Sequence, residues 1–249
     1  AKMFKLLVDN GLRVSGLKSL LVCSHADLAR TLHAALLSQG VSIKIASVAK
    51  DLGLDATGGA KRSATTANKR LVKAAKKNEA LQKIKCWGGK ASRLFKPSVS
   101  KTATFGLEAL GVSQQTLGTL RRWQARSLHT ATGQDNISVI AIAGDGDDPL
   151  ETSSLQIIDA WLRLWVGNPR LRPNMQNLWQ GIIRKINDEK RFSLNSVLGP
   201  ASATLHTLFR VGWRPETAYR WYNPDTSNEL HVVGGGSLRL VRDELRVSV

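Results

Sequence analysis

The chain has 249 residues, and its 36 Lys and Arg against 19 Asp and Glu leave a net charge of +17. An apolar content of 42% lies near the globular average and argues against wholesale disorder. No apolar stretch approaches the ~18 residues of a membrane-crossing helix, so no membrane partner is expected. A pI near 10.4 favours nucleic acid over an acidic small substrate.

From the N-terminus, residues 2–10 read as the end of a helix closed by Asn10-Gly11, a common C-terminal cap pair. The opening Ala1-Lys2-Met3-Phe4-Lys5 lacks both an initiator methionine and the apolar core of a signal peptide, and reads as a piece of a longer protein. Leu17–Ser24 has strand length. Ala26–Ser38 places Leu28, Leu32, Ala35 and Leu36 at amphipathic-helix spacing, and Gly40 ends it. Val41–Ala49 is a second strand. Helix, strand, helix, strand makes an α/β unit.

The charge then concentrates. Between Lys44 and Lys101 fifteen basic residues face three acids, a net of +12 in under a quarter of the chain. Within this stretch Ala64, Ala67, Leu71, Ala74, Leu81 and Ile84 form one narrow apolar stripe, with Lys and Arg on the remaining faces, interrupted at Gly88-Gly89. After Pro97, two helices are expected over Thr102–Leu110 and Leu117–Leu128. Ser113 is placed to cap the second.

Residues rich in Gly, Asp, Thr and Asn, ending in Asp145-Gly146-Asp147-Asp148-Pro149, suggest a solvated linker. Three helices follow, carrying Leu155 to Trp165, Met175 to Ile186, and Leu205 to Phe209. A hairpin is expected from Tyr219–Tyr222, the turn Asn223-Pro224-Asp225 and Leu230–Val233. Three helices and a hairpin suggest a winged-helix-like module, whose tryptophans fit core positions. The expected fold class is α+β and mostly helical. Its parts are an α/β unit at 1–60, a basic helical region at 61–130, a linker at 131–150, and a helical module at 151–249 ending in a β-hairpin.

Neither cysteine, Cys23 nor Cys86, belongs to a Cys/His cluster, and the five histidines lack metal-ligand spacing, so no metal site is expected. The basic helix supplies the candidate polyanion contacts Lys61, Arg62, Lys69, Arg70, Lys73, Lys76 and Lys77, which Arg121 and Arg122 would extend. Such contacts position a backbone without reading bases. Six neutralised phosphates would give a salt slope of about −4 to −5.

Three further motifs stand in order. Gly11-Leu12 with Lys18-Ser19 resembles the fourth palm motif of non-LTR retrotransposon reverse transcriptases. Lys50-Asp51-Leu52-Gly53-Leu54 resembles their primer grip, with Asp51 where a tyrosine is usual. Phe105-Gly106-Leu107-Glu108, then Gly111-Val112-Ser113, then Leu117-x-x-Leu120-x-x-x-Gln124 resembles a thumb segment. The resemblance covers roughly residues 1–130. It implies the end of a palm at 1–60, a basic thumb at 61–130 and a post-thumb region.

The partner implied is an RNA or RNA/DNA template–primer, held by Lys50, Leu52, Gly53 and the basic helix. Lys18 would be the general acid toward the leaving pyrophosphate. The resemblance also implies an intracellular, nuclear or ribonucleoprotein-associated protein. The Asp-Asp pair and third Asp of such polymerases are not in this chain. No cofactor is therefore expected here, Mg²⁺ belonging to the intact enzyme, and the chain alone would not polymerise. The alternatives are a stand-alone basic RNA-binding or ribonucleoprotein assembly module, and a helical protein–protein scaffold.

Overall fold

The computed structural model describes residues 10–11, 19–51, 53–128, 136–143, 148–189, 192–232 and 243–244. The chain is mostly helical with three small sheets among these residues, in keeping with the α+β class. It divides into two compact units, Ala1–Thr66 and Ala67–Val249.

In the first unit β1 (Leu20–Leu21) pairs in parallel with β2 (Lys44–Ile45), and α1 (Ala26–Leu37) connects them. The strands foreseen at 17–24 and 41–49 are thus shorter than expected, the second also giving rise to β3 (Val48–Asp51). A sheet of two short rungs covers little, so the leucine stripe of α1 stays open within this unit. Leu28 is 47% exposed and Leu32 40%, while Ala29 is the buried residue. Strand β3 pairs antiparallel with β4 (Leu54–Thr57) in the register Asp51↔Leu54, a tight hairpin whose turn holds Gly53 at φ +85°. That conformation is open to glycine at no steric cost.

Helix α2 (Thr65–Cys86) begins where the first unit ends. It is followed by α3 (Ala91–Leu94), a π-helical segment Phe95–Ser100, and α4 (Lys101–Ala103). Pro97 thus stands inside the π-helical segment. A mid-helix proline lacks an N–H and crowds the carbonyl four residues back, and local widening to a π-helix accommodates both. Then come α5 (Leu107–Leu110) and α6 (Gln114–Ser127), whose cap is as foreseen, with Ser113 Oγ accepting from Thr116 N at 3.0 Å. The helix foreseen over 102–110 is broken between α4 and α5, where Gly106 takes φ +83°.

Where a linker was expected, α7 (Asn136–Ala143) buries Val139 and Ile140 against Ala125 and Leu128. Asp145, Gly146 and Asp147 lie outside the described residues. Asp148 is no solvated linker residue. Its carboxylate accepts from Leu150 N at 3.0 Å, capping α8 (Pro149–Gly167), and takes a two-pronged contact from Arg121, Nε to Oδ1 at 2.8 Å and Nη2 to Oδ2. Helices α9 (Arg172–Glu189) and α10 (Pro200–Arg210) follow, then a meander of β5 (Arg214–Pro215), β6 (Arg220–Asn223) and β7 (Asn228–His231). The foreseen hairpin is present as β6–β7, with β5 as a third strand.

Trp161, Trp165, Trp179, Trp213 and Trp221 all sit in the largest core cluster, with Trp161 Nε1 donating to Ala218 O at 2.8 Å. A second cluster joins Leu107, Val112 and Leu117 to Ile157, Val197 and Ala203. The regions expected as thumb and C-terminal module therefore share one apolar core. Arg210 bridges them too, donating to Val112 O at 3.2 Å and Ser154 Oγ at 2.9 Å. Burial lowers its pKa to about 10.

Asp148→Ala removes a helix cap and leaves a half-buried guanidinium unpaired. It should cost about 2–4 kcal/mol, or roughly 5–10 °C in Tm for a unit of this size. Asp148→Asn keeps a cap and should cost less. Thermal unfolding by circular dichroism separates the two.

Candidate nucleic-acid interface

Helix α2 turns a narrow face inward, with Ala74, Asn78 and Leu81 buried at i, i+4 and i+7 spacing. Ala74 and Leu81 pack on Ala91, Phe95, Val99, Ala103 and Leu120, joined by Leu71, Ile84 and Trp123 at the edge. At 100° per residue the opposite face carries Lys69, Lys73, Lys76 and Lys83, and all four are exposed. From Lys69 to Lys83 the stripe runs about 21 Å, or roughly six base-pair rises. Glu79 is the one carboxylate of this helix, on the flank of the stripe.

The stripe ends on an aromatic residue. Trp87 follows Lys83 by one helical turn, its N–H donating to Lys83 O at 3.1 Å, and is 82% exposed. Gly88, at φ +81°, then ends the helix. A tryptophan this exposed buries almost none of its apolar surface in the fold. Sequence reasoning missed it. Its signal was a tryptophan beside the Gly88-Gly89 breaker, off the apolar stripe and in phase with the lysines.

The other basic residues of this region divide. Lys77 turns inward, its ammonium donating to Thr102 Oγ1 at 2.7 Å and Ser98 O at 3.5 Å. Lys85 binds Arg126 O and Leu128 O at 2.7 Å each, closing the carbonyl end of α6. The Arg70 guanidinium lies 4.1 Å from the Phe105 ring centroid and donates to Phe105 O at 3.2 Å. Arg121 is held by Asp148, which takes it out of the exposed set, whereas Arg122 is exposed beside Thr119.

In the first unit Lys50 is exposed on β3 opposite Asp55, and Lys61 is exposed. Arg62 is half-buried, and burial lowers its pKa. Asp55 accepts from Ser63 Oγ at 2.9 Å and Thr66 N at 2.8 Å. Gly53 occupies the hairpin turn. Leu52 and Lys18 lie outside the described residues.

The thumb-like motif falls largely on the core. Leu117, Leu120 and Gln124 make the buried face of α6, and Leu107 is buried while Phe105 is 52% exposed. Glu108 accepts from Gln156 Nε2 at 2.6 Å. Among the described residues no three His, Cys, Asp or Glu side chains gather as a metal site, and no helix is long and apolar enough to cross a membrane. Comparison of the chain with protein-family models, with curated proteins and with solved structures finds no match.

Two classes of lysine should separate by experiment. Lys73→Ala with Lys76→Ala should leave Tm within a few degrees, as exposed substitutions do. Lys77→Ala should lower stability by about 1 kcal/mol through loss of the Thr102 and Ser98 contacts. Equal losses of stability would place all three in one structural role.

Proposed function

We propose that this chain binds a nucleic-acid backbone along α2, as the template–primer platform of a retroelement reverse transcriptase: palm end, basic thumb and post-thumb region. The observation that carries the binding is the four-lysine stripe ending on exposed Trp87. Lysines at i, i+4, i+7 and i+14 track phosphates. An aromatic face at the end of such a track offers a surface for an unpaired or terminal base, since every base has a π-face. The polymerase reading adds the order of the three motifs and the tight turn at Gly53 where a primer grip is expected. An intracellular, ribonucleoprotein-associated setting goes with it. Lys18 keeps its proposed proton-donor role only within an intact polymerase, since the chain lacks the catalytic Asp-Asp motif.

The exposure of Trp87 favours a second reading, a stand-alone module for single-stranded RNA. The two share an interface and differ in preferred ligand.

With Lys77, Lys85 and Arg121 engaged inside the fold, about four phosphates are contacted by α2 rather than six. The salt slope should then be about −3 to −4. Fluorescence anisotropy with an RNA/DNA hybrid and a single-stranded RNA tests this across salt. A preference for the hybrid supports the polymerase platform; a preference for the single strand supports the RNA module. Trp87→Ala should weaken binding by roughly tenfold with the slope unchanged. Lys73→Ala with Lys76→Ala should flatten the slope by about 1.5 to 2. No binding of either probe at low salt would remove both readings.

A further inference from the structure

A second feature of the larger unit stands apart from the lysine stripe. Between the π-helical segment, α6 and α8 lies a cavity of about 340 Å³. Arg93, Lys96 and Lys101 line it, together with Thr104, Gln124 and Ser153. No carboxylate lines it among the described residues. Arg93 and Lys101 thus stand on a lining with no carboxylate among its described residues, which favours an anion.

The sequence explains how the wall forms. Pro97 widens the helix through Phe95–Ser100, so Arg93, Lys96, Ser100 and Thr104 all face one cavity. Widened turns of this kind recur at functional sites. The floor offers an independent sign. Ser153 is 1% exposed, and its hydroxyl has no hydrogen-bond partner. Its neighbour Ser154 instead donates to Leu150 O at 2.6 Å, the ordinary resting contact for a helical serine. A buried hydroxyl on the cavity lining without a partner is a donor available to an acceptor that enters the cavity.

We propose that this cavity is a phosphate-monoester site, sized for a nucleoside monophosphate or the phosphorylated end of a strand. Arg93 and Lys101 supply charge-assisted donors at the mouth, and the Ser153 hydroxyl donates to a phosphate oxygen at the floor. A dianionic group with three terminal oxygens matches several converging donors better than a phosphodiester, which has two. Pockets of this volume lie at the lower end for small ligands, enough for one nucleotide and not for a duplex.

The full chain is titrated by calorimetry with adenosine 5′-monophosphate, inorganic phosphate and adenosine. A 5′-phosphorylated oligothymidylate and its 5′-hydroxyl counterpart form the second arm. Adenosine monophosphate or the phosphorylated end should bind saturably, and adenosine should not. The tighter of the two phosphorylated probes assigns the source.

Arg93→Ala and Lys101→Ala should each weaken that binding by roughly tenfold, and Ser153→Ala, nearly isosteric, by severalfold. Lys73→Ala with Lys76→Ala should leave monophosphate binding unchanged, so failure of the helix α2 reading and failure of this one are separable. The proposal is overturned if adenosine binds as well as its monophosphate. It is equally overturned if Arg93→Ala, Lys101→Ala and Ser153→Ala variants with unchanged Tm bind like the parent, or if no phosphorylated probe saturates.

Discussion

Helix α6 is buried on two sides at once, and the larger unit depends on it. Leu117 enters the cluster shared with Ile157 and Ala203, while Leu120, one turn on, enters the cluster beneath α2. Each is at most 1% exposed, and full burial of a leucine contributes about 1.5–3 kcal/mol. The same helix carries Arg121, whose pairing with Asp148 fixes the start of α8. Basic helix, central helix and tryptophan core are therefore coupled through one short element.

That coupling lets α2 remain so polar. Its buried stripe consists of an alanine, an asparagine and a leucine, which contribute little hydrophobic burial. A helix with so narrow an apolar face gains most of its order from tertiary contact rather than from its own propensity. Lys77 and Lys85 supply part of that contact by donating to carbonyls and a hydroxyl on neighbouring segments. Their charges are partly neutralised by dipoles within the fold. The outward lysines are exposed with Glu79 on their flank, so like-charge repulsion along the stripe persists until a polyanion relieves it.

Much of the skeleton was legible in the sequence. The 3.6-residue period marks α1 and α2, Ser113 caps α6, and the apolar spacing of Trp161 and Trp165 places them in the core. Local rules failed where distant partners decide. A Gly- and Asp-rich stretch reads as linker until Ala125 and Leu128 are there to bury Val139 and Ile140. The π-helical course through Pro97 was not foreseen, because it depends on the packing of Phe95 and Val99. The same limit applies to the charges: periodicity gives the side of α2 on which a lysine stands, and only the tertiary fold supplies the carbonyls that draw Lys77 and Lys85 inward.

The segment Leu117-x-x-Leu120-x-x-x-Gln124 shows how a motif can be structural in one part and chemical in another. Its leucines are core, and a folding role explains them completely. Gln124 is also on the buried face, yet it lines the cationic cavity rather than an apolar cluster. An amide there can donate and accept, whereas a leucine would complete the hydrophobic face at lower desolvation cost. A polar residue in a leucine position is retained at a cost to packing. Here it lines the same cavity as the Ser153 hydroxyl and the cations Arg93 and Lys101. The departure from apolar spacing in α6 therefore coincides with a cavity whose described lining carries cations and donors suited to an anion.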